Sequence, residues 1–161
     1  MMLFSQPKVW IDVGLSGANK RRFINIPQLI EVLGQDIAKA LPACHAFSGS
    51  DYTASFMNKG KARPLSAMEK SKTFAAAFAA IGEDDEEDPL PIVEKYVCKM
   101  YGQPKMSSVN EARYKIFLSK YAPKSNVDPL EKIKGINASS MPPCNVVLVN
   151  KMKRPTFVTQ L

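Results

Sequence analysis

The sequence predicts an α/β protein that is mostly helical, with one or two amino-terminal strands of a parallel sheet followed by several helices. Two patterns lead to this fold class. Residues Lys8–Val13 (KVWIDV) alternate and are rich in β-forming side chains, whereas later apolar residues recur at helical spacing. The chain has 161 residues, of which 45% are hydrophobic, and this suffices for a folded domain with a buried core.

The amino-terminal strands predict a domain that is only partial. A glycine-containing turn follows the first strand at Gly14–Lys20, and Arg22–Ile26 has the composition of a short second strand. Lys8–Val13 is apolar enough to be buried on both faces, as strands of a parallel sheet are. Because one or two strands cannot form a stable open sheet, we expect neighbouring strands from a missing amino-terminal segment or a partner chain.

The first half of the chain then predicts three helices. Pro27 suits the first residue of a helix that ends at Gly34. A short helix at Asp36–Leu41 should stop before Pro42, which lacks a backbone N–H. The stretch Leu65–Ile81 has apolar residues on one stripe and predicts a single longer helix.

The second half predicts more helices. Ser108 and Glu111 have the spacing of a capping box, so a helix should begin there. For the last apolar segment, Asn145–Lys153, the periodicity does not distinguish a helix from a strand. The other predicted helices are Leu90–Tyr101, the capped helix to Tyr121, and Pro129–Lys134.

Charge divides the chain into three parts. Six acidic residues lie together at Glu83–Asp88, and we interpret residues 83–89 as an exposed acidic loop. Residues 1–82 form the first portion, and residues 90–161 form a helical extension packed on the same domain. The net charge is +7, but outside the acidic run 9 acidic residues face 22 lysines and arginines. Such a surface attracts nucleic acid, although a merely solvated lysine-rich surface has the same composition.

Composition also limits the location of the protein. No apolar run approaches the length needed to cross a bilayer, so we expect no membrane association. The three cysteines are far apart and form no C-x-x-C pair, which argues against a zinc site. They fit a reducing intracellular compartment, either the nucleus or the cytoplasm.

One segment carries a resemblance to a known family. Phe47–Phe56 (FSGSDYTASF) resembles the G-S-D-Y motif of the flap endonuclease and XPG nucleases, which belong to the PIN-like superfamily. The longer run His45–Lys61 is similar to an H-A-F-T-G-C-D motif in uncharacterised animal proteins associated with mobile elements. Asn110–Tyr114 and Met141–Cys144 resemble the tail of those proteins, so the resemblance spans nearly the whole chain.

The resemblance assigns a catalytic role to Asp51. In the family, the aspartate of this motif is one carboxylate of a cluster that binds Mg²⁺ or Mn²⁺ for phosphodiester cleavage. Carboxylate oxygens are the ligands that these hard cations prefer. An ordinary aspartate at a helix start is the alternative interpretation. In either case we expect Asp51 at the start of a helix, near the carboxyl end of the first strand.

The same resemblance predicts a turn that binds nucleic acid through backbone phosphates, with DNA favoured over RNA. In the family a hairpin with two glycines follows the motif. Here the first glycine position is Asn58, and Gly60 occupies the second, where no side chain blocks a phosphate. The predicted phosphate contacts come from Asn58, Lys59, Gly60, Lys61 and Arg63.

The inventory of carboxylates conflicts with the motif. The family's other ligands precede this segment and include a D-x-D-type pair, which has no counterpart upstream of Asp51. Whether the chain is an enzyme is therefore left open. The first interpretation of the chain is a catalytically incomplete, metal-dependent nuclease-like domain. It would need Mg²⁺ or Mn²⁺ only if it is active. The alternative is a non-catalytic module, derived from a mobile element, that binds nucleic acid or another protein.

Overall fold

The computed structural model describes residues 8–15, 20–81, 88–121, 135 and 137–159. These residues form a mostly helical protein with one two-stranded sheet near the amino terminus, which confirms the predicted fold class and the order of its elements. The strands are β1 (Trp10–Leu15) and β2 (Arg21–Asn25). The helices are α1 (Ile26–Leu33), α2 (Gln35–Ser48), α3 (Ala62–Glu69), α4 (Lys72–Ala79), α5 (Leu90–Met100), α6 (Val109–Tyr121) and α7 (Asn145–Thr159).

The two strands form an antiparallel hairpin, so the prediction of a parallel sheet is wrong for this pair. A parallel connection needs a crossover of a dozen or more residues, and only five separate Leu15 from Arg21. The predicted burial of the first strand on both faces is also wrong. Trp10 and Ile11, whose side chains point to opposite faces, are each at least half exposed. An ion pair between Asp12 and Arg21 links the two strands.

Helices α1 and α2 differ in how well local signals predicted them. The N–H of Gly34, at φ +81°, bonds to the carbonyl of Ile30 at 2.9 Å and ends α1 as predicted. The predicted stop before Pro42 is wrong, because α2 runs through it to Ser48. Ala40 and Phe47, on either side of the proline, are completely buried. Their packing offsets the backbone hydrogen bond that the proline removes.

The predicted helix at Leu65–Ile81 is two helices, α3 and α4. Ser71 separates them, and its hydroxyl accepts a hydrogen bond from the N–H of Phe74 at 3.3 Å. Serine is among the preferred residues for this capping position. The break turns α4 relative to α3, so that Met68 of α3 and Phe78 of α4 both reach the core.

The second half of the chain follows the predictions closely in its described residues. Helix α5 ends next to Tyr101 and Gly102, and Asn145–Lys153 lies within a helix, α7. The first turn of α6 is capped from another helix, because the carboxylate of Glu94 on α5 accepts from the N–H of Val109 at 2.8 Å. The predicted helix at Pro129–Lys134 and most of the acidic loop lie outside the described residues.

Helix α2 lies at the centre of the core and packs against α3, α4 and α7. Its Phe47 ring is completely buried and contacts three other rings, at centroid distances of 5.3 Å to Phe56, 5.5 Å to Phe78 and 6.3 Å to Tyr96. One hydrophobic cluster includes residues from α2 to α7. This core fixes the segment that follows α2, where the motif residues lie.

Candidate nucleic-acid interface

The G-S-D-Y segment is a tight turn at the carboxyl end of α2. Gly49 follows the helix at φ +118°, and a Cβ atom there would approach the Cα of Ser55 to 2.6 Å. Only glycine fits this contact. Ser50 and Thr53 then pair through backbone hydrogen bonds of 3.0 and 3.3 Å. The turn that they close carries the exposed Asp51 at its tip.

Thr53 anchors this turn to the helix. Its buried hydroxyl donates to the carbonyl of Ala46 and accepts from the N–H of Ser50 at 2.9 Å. The prediction that Asp51 begins a helix is wrong, because the next helix starts only at Ala62. The alternative interpretation, a helix-capping aspartate, does not fit this position either. Asp51 is a solvent-facing carboxylate held on an anchored turn.

The basic turn at residues 57–61 has the backbone that two hairpin glycines would give it. Asn58 and Gly60, which stand at the two glycine positions of the resemblance, both have φ +58°. Asparagine is one of the few non-glycine residues that adopt this left-handed conformation readily. A Cβ atom at Gly60 would meet nothing within 4 Å, so the turn is open to solvent there.

Lys61 uses its amino group inside the protein. The ammonium donates to the carbonyl of His45 at 2.9 Å, to the carbonyl of Gly49 and to the hydroxyl of Ser48 at 3.3 Å. These groups lie at the carboxyl end of α2, where the helix dipole favours a cation. Lys61 therefore fastens the basic turn to the G-S-D-Y turn, a role that its predicted phosphate contact did not include.

Lys59 in the basic turn and Arg63 just after it are the other two predicted cations. The Lys59 ammonium lies 4.0 Å from the ring centroid of Tyr101, in a cation–π contact. Burial lowers the pKa of Lys59, and repulsion by Arg63 and Lys120 lowers it further. Arg63, on the first turn of α3, is exposed to solvent. Lys59 and Arg63 thus lie close enough for their charges to repel each other.

Sequence reasoning missed one cation near Lys61, Lys151 on α7. Its ammonium donates to the carbonyl of Ala54 and lies 4.5 Å from the ring centroid of Phe56. Burial, and to a smaller extent the charges of Arg154 and Lys61, together lower the pKa of Lys151 to about 8. No local signal marks this residue, because its partners lie almost one hundred positions earlier in the chain.

An open cleft of about 670 Å³ lies beside the G-S-D-Y turn. Asp51, Tyr52, His45 and Lys61 are among its lining residues. The imidazole Nδ1 of His45 is 3.4 Å from the Lys61 ammonium. The cleft therefore combines one exposed carboxylate with the Lys61 ammonium, which already donates hydrogen bonds within the protein.

The residues of this cleft do not fit a two-metal centre. A pair of hard cations about 4 Å apart needs several converging carboxylates, and Asp51 is the one carboxylate among the cleft's described lining residues. Across the described ranges, no group of three or more His, Cys, Asp or Glu side chains could hold a metal ion. A working centre for Mg²⁺ or Mn²⁺ would need ligands from elsewhere.

Positive charge dominates the described part of the chain, which holds 19 lysines and arginines against 8 aspartates and glutamates. Within that part, Arg21 and Asp12 form the single ion pair, and it lies on the hairpin. Lys59 and Arg63 form no ion pair with a described carboxylate, so their charge remains available to an external anion.

No family model, curated protein or solved structure matches the chain. The fold and the site define a small helical protein with a basic turn fastened to a G-S-D-Y turn. A nuclease ancestry for this site depends on the motif residues themselves.

Proposed function

We propose that this chain is a nuclease-like module that binds the phosphate backbone of nucleic acid, with DNA favoured over RNA, and that it does not form a complete metal centre by itself. The observation that carries the proposal is the basic turn, in which Asn58 and Gly60 are left-handed and an open backbone is surrounded by lysine and arginine. Three free cysteines fit a reducing compartment, the nucleus or the cytoplasm.

The backbone of the turn supports anion binding. Gly60 has φ +58°, whereas the next residue, Lys61, is right-handed with φ −91° and ψ −35°. Successive residues of opposite hand direct their N–H groups toward one side and create a concave site for an anion. A phosphate can approach this site because Gly60 has no side chain.

Mutual repulsion among the cations supports the same function. Beyond the larger effect of burial, Arg63 and Lys120 lower the pKa of Lys59, and Arg154 and Lys61 lower that of Lys151. These side chains form two sets of three like charges, one around Lys59 and one around Lys151. A polyanion would relieve the repulsion and release its own condensed counterions, and both effects favour binding at low salt.

Salt dependence tests the proposal. Replacing Lys59 and Arg63 with alanine should remove about two phosphate contacts and reduce the slope of log affinity against log salt by about 1.5 to 2 for duplex DNA. The effect should not depend on DNA sequence. Lys61 should be replaced separately, because it also stabilises the end of α2.

A charge-matched control separates the turn from net charge. Arg22 on the hairpin and Lys105 between α5 and α6 are both exposed, and replacing both with alanine removes the same charge. We expect a much smaller change of slope for this control. Equal slopes for the two double variants would reject the turn as the binding site, and no measurable binding at low salt would favour a protein-interaction module instead.

Metal-dependent cleavage is the second candidate function, and the position of Asp51 in an open cleft favours it. Because the described residues offer no carboxylate cluster, we expect no turnover of flap, nicked or single-stranded DNA by this chain with Mg²⁺ or Mn²⁺. Cleavage that is lost in Asp51→Asn would show that a second copy or another segment supplies the missing ligands. Cleavage that persists in this variant would indicate a contaminant or a different site.

A further inference from the structure

Lys151 has an environment that differs from that of an ordinary surface lysine. Its amino group lies 4.5 Å from the ring centroid of Phe56 and 5.7 Å from that of Phe47, and it donates to the carbonyl of Ala54. The ring faces attract the ammonium but replace part of its water shell. The described residues provide no carboxylate within ion-pair distance of it.

Two cationic neighbours oppose the protonated form of this amine. Arg154 lies on the same helix, and Lys61 projects from the basic turn. Arg113 of α6 lines the same pocket as Lys151. Desolvation is the largest cause of the lowered pKa, about 8 instead of 10.5. At neutral pH, roughly a tenth of the Lys151 side chains are therefore uncharged, against far less than a hundredth for an unperturbed lysine.

The amine borders a pocket that is large enough for a small molecule. The pocket has a volume of about 520 Å³ and lies between the Ala54–Met57 segment and α7. Apolar side chains such as Met141 and Val147 form most of its wall, and Arg113 supplies a second cation. One guanidinium N–H of Arg113 donates to the carbonyl of Pro142 at 2.6 Å. The rest of this planar group can present further donors to a phosphate.

We propose that Lys151 is a nucleophilic amine that captures an aldehyde carried by a phosphate-bearing molecule as an imine in this pocket. The proposal goes beyond phosphate-backbone binding, because it assigns a covalent step to one side chain. Three observations carry it: a partly desolvated amine with no carboxylate partner among the described residues, an adjoining pocket, and a guanidinium in that pocket that can hold the phosphate.

The covalent step requires no oxidant or reductant. The lone pair of the uncharged Lys151 nitrogen attacks the carbonyl carbon, and the carbonyl electron pair moves to oxygen, which takes a proton. The nitrogen then loses both of its protons in turn, the oxygen takes a second proton and leaves as water, and a C=N bond replaces the C=O bond. A neutral amine keeps two N–H groups before attack, so one can stay with the Ala54 carbonyl while the lone pair reacts.

A purely structural role for Lys151 makes different predictions. If the lysine only joins α7 to the segment at Ala54, its charge and length matter but its nucleophilicity does not. Arginine would then replace it with little loss. Selective reaction with an aldehyde distinguishes the two roles, because arginine keeps the charge and forms no comparable imine.

Pyridoxal 5′-phosphate, which carries both an aldehyde and a phosphate, is a suitable probe. The full chain would be incubated with it at pH 7 to 9, reduced with borohydride and analysed by peptide mapping. We expect Lys151 to be labelled about tenfold faster than Lys153, an exposed lysine on the same helix. The rate should rise as the pH passes through 8, because the uncharged amine increases there.

Two variants and one analogue complete the test. Lys151→Arg should abolish the fast label, and Lys153→Arg should leave it unchanged. Pyridoxal without phosphate should label Lys151 several-fold more slowly, because it lacks the group that Arg113 would hold. Equal labelling of Lys151 and Lys153 in the native chain would overturn the proposal, even if a variant failed to fold. Equal rates with and without phosphate would overturn the phosphate part.

The aldehyde could come from a free phosphorylated metabolite or from an abasic site in a nucleic-acid strand. An oligonucleotide with one abasic site, trapped with borohydride, addresses the second source. Cross-linking at Lys151 would support the proposal with nucleic acid as the source. Labelling by pyridoxal phosphate alone would support it with a small molecule as the source. Since that probe needs no nucleic-acid binding, failure of the proposed function and failure of this inference are distinguishable.

Discussion

The amino-terminal hairpin (β1 and β2) and the helical body (α2 to α7) both contain many apolar residues, but the apolar residues of the body are far more buried. Trp10 on β1 is 54% exposed, whereas Phe47 on α2 is 0% exposed and contacts three other rings. None of the residues of β1, β2 or α1 is buried in the structure. Six of the seven helices, α2 to α7, by contrast contribute buried side chains to one cluster that extends from Ala40 to Leu148.

The difference shows that apolar character alone does not determine burial. A helix of the body finds its partners in the same chain, since α2 packs against α3, α4 and α7. The hairpin contacts the body chiefly through α1. Its stability in isolation should be marginal, because a two-stranded ribbon buries little surface. The body should therefore unfold as the main cooperative unit, and it carries both the basic turn and the Lys151 pocket.

Removing the central ring should test this comparison most strongly. Phe47→Ala creates a cavity in the core, and we expect the free energy of unfolding to fall by about 3–5 kcal/mol. Urea denaturation followed by circular dichroism would measure it. Phe47→Leu keeps most of the volume and should cost clearly less. A loss below about 1 kcal/mol for alanine would contradict the central position of this ring.

The Lys61 clamp, by which we mean the hydrogen bonds from its ammonium to the end of α2, should have the next largest effect on the free energy of unfolding. Lys61→Met keeps most of the side-chain length but removes the ammonium from the carbonyl groups of His45 and Gly49. We expect a loss of about 1–2 kcal/mol, the range for a charged donor at a helix carboxyl end. Lys39→Met, on an exposed position of α2, is the control. Equal effects of the two substitutions would show that the clamp does not stabilise the body.

Lys151 should make the stability of the body depend on pH. Its pKa in the folded protein is about 8, below the ordinary 10.5, so between these values the unfolded chain binds more protons than the folded one. The free energy of unfolding contributed by this group therefore rises with pH from about 8 to 10.5. We expect a rise on the order of 1 kcal/mol, because the side chain keeps part of its solvent contact.

The variant Lys151→Met isolates that contribution. Cys44 and Tyr96 have raised pKa values through burial and also affect stability at alkaline pH, so the wild type and the variant must be compared. Between pH 8 and 10.5, the free energy of unfolding of the wild type should rise relative to that of the variant. A difference that stays constant from pH 7 to 10.5 would show that the Lys151 amine is not desolvated.

The smallest effect should come from the hairpin. Trp10→Ala removes a large side chain that is half exposed, and we expect the free energy of unfolding of the helical body, measured with urea, to change by no more than about 0.5 kcal/mol. This result, beside that of Phe47→Ala, would sharpen the contrast between the regions. A loss of 2 kcal/mol or more would break it, since the hairpin would then have to be covered in solution.

Local sequence signals predicted several elements well. Gly34 ends α1 because its left-handed backbone is available to glycine at little cost, and α5 has the bounds that its apolar period indicated. The motif also indicated the two special backbone positions of the turn, since Asn58 and Gly60 are both left-handed. The cations of the turn lie near each other because they are close in sequence. These features depend on residues a few positions apart.

The sequence by itself determined the order of strands and helices, the basic character of the surface and the left-handed positions of the turn, because short-range sterics and composition are sufficient for them. Only the tertiary structure decided that α2 continues through Pro42, that Lys61 caps α2 and that Lys151 meets Phe56. Each of these depends on packing energy or on a partner distant in the chain. Local preferences amount to about 1 kcal/mol per residue, which is too little to outweigh such contacts. They also contain no information about a partner that is distant in the chain.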